Sequence, residues 1–291
     1  GPTCNPGQRL AVGAEQVGGI LAGAAAPATV SSIPKPPEFP ALQRAIELGP
    51  AGVLAELARS RLAGRGGAAF PTARKWEAVA RAPALPHYVV CNADESEPGT
   101  FKDRVLLERE PFAVLEGMII CGLATGAERG FIYVRDEYPL ARSLLAEGID
   151  ALRSGGRLGA GFEIELRRGA GAYICGEETA LLNSIEGRRG EPRNRPPFPV
   201  ERGLFGRPTV INNVETLVAA RQVLEMGADA FGARGTEGSA GPEPFCCSHA
   251  RARAAVLPRA FALPLQAQAP RPCGAPPPLS AGPVLLPLRA P

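Results

Sequence analysis

Between Tyr88 and Arg167 the sequence alternates between two periodicities in a fixed order, and that order restricts the fold more than any composition figure. Tyr88-Val-Val-Cys91 is a short buried strand, Arg104 to Thr125 a long apolar helical stretch, and Gly130 to Arg135 a second strand. Tyr138 to Ser154 is helical again, and Phe162 to Arg167 makes a third strand. Successive strands separated by helices of this length are parallel, because the crossover carries the chain back to the same end of the sheet. The expected fold is therefore α/β: a Rossmann-like parallel sheet covered by helices, with irregular N- and C-terminal extensions. Ligands of such sheets lie beyond the carboxyl ends of the strands.

The segments at those ends are polar where a ligand would lie. The first strand runs into Asn92-Ala-Asp94-Glu95-Ser-Glu97, and the third into a glycine- and alanine-rich segment followed by Tyr173, Gly176, Glu177 and Glu178. Asn and Asp pair with the donor and acceptor edge of a flavin ring, and small residues leave room for a flat tricycle. Glu177 and Glu178 equally suit the dipole at the start of the helix they open. Further on, Gly187 to Pro199 is basic and too proline-rich for regular structure, and Phe198 offers an aromatic face. Asn212-Asn213 stand before another helix that includes Thr216, either as caps or as contacts to phosphate and ribitol.

Upstream lies a second informative stretch, Gly64-Arg65-Gly66-Gly67-Ala68-Ala69-Phe70-Pro71-Thr72-Ala73-Arg74-Lys75-Trp76. Glycines let the backbone aim N–H groups at a phosphate, Lys75 adds a mobile charge, and Phe70 offers a flat face for a base. The dinucleotide fingerprint needs a strand before its glycines, whereas Val53 to Leu62 reads as a helix capped by Gly64, following a first helix from Pro40 to Leu48. A plain turn between two helices also fits this stretch.

Composition removes several classes. Seven cysteines, Cys4, Cys91, Cys121, Cys175, Cys246, Cys247 and Cys273, show no C-x-x-C spacing, and two histidines cannot build a zinc site. Reduced thiols in a cytoplasmic setting are expected. The net charge of +3 misleads, because five arginines follow the last acidic residue, Glu243, and the chain before them carries −2. No nucleic-acid partner is indicated. The apolar run Gly18 to Val30 is short and broken by Pro27, so no span or secretory signal is expected from it.

Five stretches, GRGGAAFPTARKW, VVCNADESEPGTFKDR, RRGAGAYICGEETALLNSIEG, RPPFPVERGLFGRPT and VINNVETL, occur in this order. Together they resemble the FMN-bearing, NADH-oxidising subunit of respiratory complex I and the related modules of NAD-linked formate dehydrogenases and hydrogenases. The resemblance runs from about residue 40 to about residue 235. It implies FMN across the sheet edge, with Gly64, Gly66, Gly67 and Lys75 at its phosphate. Asn92, Asp94, Tyr173, Gly176, Glu177, Asn212, Asn213 and Thr216 would surround the rest. NADH would stack its nicotinamide on the flavin and its adenine on Phe70 and Phe198, with Glu95, Glu97 and Glu178 on the nicotinamide and ribose side. Ala69 stands where the family has glycine, and Ala78 where complex I members carry phenylalanine.

The same resemblance implies partners in a multisubunit oxidoreductase, thioredoxin-like and iron–sulfur subunits, at the cytoplasmic side of a membrane and without direct insertion. Residues 1–36 read as a linker, 37–243 as the FMN- and NADH-binding domain, and 244–291 as a tail rich in proline, alanine and arginine, disordered or frameshifted. The family's four-iron, four-sulfur cluster is not expected in this chain, because its ligand cysteines are absent. A truncated, non-catalytic fragment is the alternative to an enzyme.

Overall fold

The computed structural model describes residues 33, 35–159, 161–169, 172–236, 239–249 and 252–259. Its centre is a sheet of four strands, β1 (His87–Ala93), β2 (Ala127–Arg135), β3 (Glu163–Gly169) and β4 (Thr209–Asn213), in the order β3-β2-β1-β4 with every pair parallel. The α/β sheet expected from the alternation is present. β4 is an addition to that expectation: Thr209-Val-Ile-Asn-Asn runs straight into the next helix with no turn between, so its asparagines read as caps rather than as the end of a strand.

Side-chain alternation divides the sheet into two faces. Val89, Cys91, Ala93, Ile132, Val134, Ile164 and Val210 face the larger core. That layer is built by α1 (Pro40–Ser60), α2 (Thr72–Ala80), α4 (Pro111–Thr125), α5 (Pro139–Ser154) and α8 (Val214–Met226). The opposite face carries Val90, Phe131, Tyr133 and Ile211, covered by Leu181, Leu182 and Ile185 of α6 (Glu178–Ile185) and by Leu204. Burying each such aliphatic side chain contributes about 1.5–3 kcal/mol, so the thicker layer supplies most of the hydrophobic stabilisation.

Two helix boundaries differ from expectation for local reasons. The long stretch before β2 is two helices, α3 (Lys102–Arg109) and α4, because Pro111 forces Glu110 out of helical geometry, to φ −129 and ψ 45. The first two helices are joined as α1 but bend at Gly49, whose φ of 66 breaks the run before Pro50. The left-handed residue that ends α1 is Arg61, with φ 55, and not Gly64. Four short elements complete the domain: 3-10 turns at Tyr173–Gly176 and Leu204–Gly206, the helical turn α7 (Pro199–Arg202), and α9 (Ala228–Gly232).

Beyond the domain, β5 (Glu243–His249) pairs antiparallel with β6 (Ala252–Arg259). Regular backbone pairing thus continues past Cys247, where an irregular tail was expected. The N-terminal linker, apart from 33, 35 and 36, and the tail from 260 to 291 lie outside the described residues. No described helix is long and apolar enough to cross a membrane.

Candidate functional site

Because all four strands are parallel, their carboxyl ends fall on one edge, with Asn92 in register with Asn213 and Arg135 with Gly169. A cavity of about 530 Å³ opens there, within the size range of cofactor sites. Its walls are the glycine loop, the segment after β1, the Tyr173–Glu177 turn and Asn213.

The glycine loop is closed at its base by Gly64 N–H donating to Phe70 O (2.8 Å) and Thr72 N–H to Leu62 O (2.9 Å). Gly64 therefore clamps the loop, while Gly66 and Gly67 line the cavity. A Cβ on Gly66 would sit 3.3 Å from the Asn213 Cβ, and Gly67 has φ +105, so both positions suit glycine. Arg65 N–H donates to Thr216 Oγ1 (2.9 Å), which ties the loop to α8; Thr216 is buried and acts as this anchor. Ala69 has φ 48, a left-handed conformation that glycine adopts with less strain.

Lys75 is not among the lining residues. Its amine donates to Glu178 Oε2 (3.2 Å) and Ile211 O (3.0 Å). The amine that lines the cavity is Lys102, which pairs with Asp103 at 2.7 Å and Glu215 at 3.0 Å and donates to Asn213 Oδ1 at 3.3 Å. Burial opposes the lysine's charge, but the two carboxylates more than offset that and hold its pKa above the ordinary value. Burial raises the pKa of Glu215 in turn, with Lys102 opposing. Asn213 accepts from Glu215 N–H (3.0 Å), so it caps α8 while facing the cavity. Asn212, one residue back on β4, points the other way: its Oδ1 accepts from the buried Trp76 Nε1 at 3.2 Å.

On the opposite wall, Asn92 Nδ2 donates to Gly176 O (2.9 Å), joining the β1 segment to the 3-10 turn. A Cβ on Gly176 would lie 3.4 Å from Asp94 O. Asp94 Oδ2 accepts from Ser96 (3.2 Å). Glu95 is buried and accepts from Asp103 N–H (3.0 Å), Arg104 N–H (3.1 Å) and Tyr138 OH (3.2 Å), so its carboxylate caps α3. Glu97 accepts from the exposed Tyr173 hydroxyl at 2.6 Å across the cavity mouth. Glu177 caps α6, accepting from Thr179 N–H (2.8 Å) and Ala180 N–H (2.9 Å), and pairs with Arg195. Burial pushes its pKa up, yet these hydrogen bonds hold it below the ordinary value. Glu177 thus caps the helix and also lines the cavity, whereas Glu178 lies in the first turn of α6 and is not among the lining residues. Phe70 and Phe198 are 51% and 50% exposed, leaving a ring face of each open.

Burial raises the pKa of both Asp94 and Glu95; Ser96 and then Arg135 oppose it at Asp94, whereas Asp103 adds to it at Glu95. A raised carboxyl pKa means the folded chain holds the proton more tightly than the unfolded one, so stability falls as pH rises from the ordinary 3.8 of Asp94 through its folded value. Asp94→Asn is therefore expected to gain stability relative to the parent as pH rises through that window. Unfolding curves of the two proteins across the acid range check this, and a constant difference contradicts it.

Arg65, Ser96, Thr100, Lys102, Asp103 and Ile174 also line the cavity without having been singled out from the sequence. One signal was available for Lys102: the chain has only three lysines, and this one ends the polar segment after β1. Among the described cysteines, Cys91, Cys121 and Cys175 are each buried and free, and the described residues contain no group of metal-ligating side chains.

Residues 57–222 match the family model described as the Nuo51 FMN-binding domain. An NADH-quinone oxidoreductase subunit of Aquifex aeolicus is 47% identical over 214 residues, 71% of this chain and 50% of the relative. The alpha subunit of the NAD-reducing hydrogenase HoxS of Cupriavidus necator is 49% identical over 208 residues, 69% of this chain and 35% of the relative. Among solved structures, an NAD+-reducing NiFe-hydrogenase in the air-oxidised state superposes with a TM-score of 0.71 at 42% identity, over 76% of this chain and 39% of that one. The chain thus spans half or less of the length of these relatives.

Proposed function

Given that this chain belongs to the Nuo51 FMN-binding domain family, we propose that it is the NADH-oxidising FMN module of a multisubunit oxidoreductase, either of the NADH:quinone type or the diaphorase of an NAD-linked hydrogenase or formate dehydrogenase. The observation that carries this reading is the polarity of the cavity. One end joins Gly66 and Gly67 to the Lys102 amine, and the other presents Asn92, Asp94 and Gly176. The residues present fit FMN: the loop leaves space that a Cβ on Gly66 would narrow against Asn213, and the Lys102 amine, shared with Asp103 and Glu215, lies beside it as a donor.

In this arrangement the Gly66 and Gly67 backbone and Lys102 hold the phosphate, a task the resemblance implies for Lys75. Asn92 and Asp94 orient the ring by its polar edge. Phe70 and Phe198 give the adenine of NADH flat faces, and Glu97 with Tyr173 closes the mouth on the nicotinamide side. Bound FMN supplies the chemistry of taking up two electrons as hydride and releasing them singly. The chain's contribution is to fix donor and acceptor in contact and to exclude water from them. Its partners are then the other subunits of the complex, which carry the electrons onward.

Glu178 sits between Lys75 (3.2 Å) and Arg195 (3.4 Å), where it accepts ribose hydroxyls and repels a 2′-phosphate. A bare like-charge pair at ~4 Å costs about 4 kcal/mol at an effective dielectric of 20, and the two cations reduce this to roughly 1–2 kcal/mol. NADH is therefore expected to be preferred over NADPH about tenfold in kcat/KM. Glu178→Gln should erase or reverse the preference, because Lys75 and Arg195 then face the 2′-phosphate unopposed. Equal rates with the two nucleotides in the parent protein would count against the placement of Glu178.

A further inference from the structure

A second concavity, a groove of about 500 Å³, lies between α6, the 188–199 segment and the turn Leu204–Gly206, and shares no lining residue with the cavity at the sheet edge. Three guanidinium groups, Arg188, Arg193 and Arg202, line it against one carboxylate, Glu186. Glu186 is already committed: it accepts from Phe205 N–H at 2.8 Å and pairs with Arg193 at 2.8 Å and more loosely with Arg188 at 3.5 Å. Arg193 is a fixed part of the wall, donating to Asn183 Oδ1 (2.9 Å) and Gly203 O (3.0 Å). Arg188 is different, with its side chain 72% exposed. Arg202 has no carboxylate within ion-pair distance among the described residues. Two planar cations are thus available at the groove for a doubly charged anion, which a guanidinium fork binds bidentately.

The remaining wall is flat and apolar. Phe205 is half exposed at φ 50, a conformation that bulky residues rarely adopt. It is held there by Glu186 on its N–H and by edge-to-face contacts with Tyr88 at 5.9 Å and Phe131 at 6.2 Å. Backbone strain that keeps a large ring at the surface is characteristic of places shaped for a ligand. Pro197 and Pro199 line the same groove as a further apolar surface.

We propose that this groove is a binding site for a nucleoside phosphate, separate from the redox cavity, with the base against Phe205 and the phosphates on Arg188 and Arg202. The test uses the full chain with ADP, adenosine and pyrophosphate, together with the photoreactive analogue 8-azido-ADP. ADP is expected to bind at least tenfold more tightly than adenosine or pyrophosphate, and the label is expected on residues 202–206, around Phe205, and to be displaced by ADP. Arg188→Gln with Arg202→Gln, both at exposed positions, should weaken ADP binding at this site at least tenfold and remove that label. Labelling of 64–76 or of Phe198 reports the other cavity instead, so failure of this proposal is distinguishable from failure of the FMN assignment. Absence of label from 202–206, unchanged labelling there in the double variant, or equal binding of pyrophosphate and ADP would overturn it.

Discussion

Lys102→Met is expected to lower unfolding stability by about 3 kcal/mol and to empty the cavity of FMN, because methionine leaves the Asp103 and Glu215 carboxylates without their shared cation. The lysine side chain is 16% exposed and those of its two partners 4% and 7%, so water replaces little of what is lost. For a domain of this size, 3 kcal/mol corresponds to a fall of about 6–12 °C in Tm. The Asn213 side chain loses a donor as well, and with it part of the alignment between the glycine loop and the start of α8. Lys102→Arg keeps the charge and should recover most of the stability while binding FMN less well, since a planar fork cannot occupy the amine's position between three acceptors. Thermal unfolding and flavin content of the two variants provide the comparison. Parent-like stability in Lys102→Met would show that the network contributes little.

Gly117→Ala is expected to destabilise by roughly 2 kcal/mol or more, against the usual gain of about 1 kcal/mol for alanine over glycine within a helix. Gly117 lies in α4, where an added Cβ would overlap the Leu217 carbonyl oxygen and come within 2.8 Å of its carbon. Both are backbone atoms of α8, which cannot yield without moving the helix. Gly122 in the same helix would meet the edge of the Phe162 ring at 2.7 Å, a side chain that can turn, so Gly122→Ala should cost less. Because α8 begins at Val214, directly after Asn213, Gly117→Ala should also weaken FMN binding, whereas Gly122→Ala should not. Chemical denaturation of both variants decides the order, and a stabilising effect at Gly117 would contradict the close packing of α4 on α8.

The residues that build the sheet were legible in the sequence because β1, α5 and β3 each carry an uninterrupted pattern of one period. β4 was not: without a strand at 209–213, nothing in the residues told that Asn212 and Asn213 point to opposite faces, and it was the resemblance that implied both beside the cofactor. Gly66, Gly67, Asn92 and Asp94 were legible as cavity residues, since glycine freedom and polar strand ends are local properties. Charge pairing is not local. Lys75 and Glu178 are 103 positions apart, and nothing in either stretch shows that the loop's lysine lies against Glu178 while Lys102, itself paired with Asp103 and Glu215, lines the cavity. Glu95 illustrates the same limit, because nothing in a polar strand end shows that this cavity-lining carboxylate also accepts from the α3 backbone amides.

The most direct test of the redox assignment is the visible spectrum of the purified chain reconstituted with FMN, recorded anaerobically before and after one equivalent of NADH. One flavin per chain, bleached by NADH and restored by ferricyanide, is the result expected from a cavity with a phosphate end at Gly66, Gly67 and Lys102 and a ring end at Asn92 and Asp94. Flavin that does not bind, or that binds stoichiometrically and stays yellow with NADH while dithionite bleaches it, would contradict an NADH-oxidising FMN site in this chain.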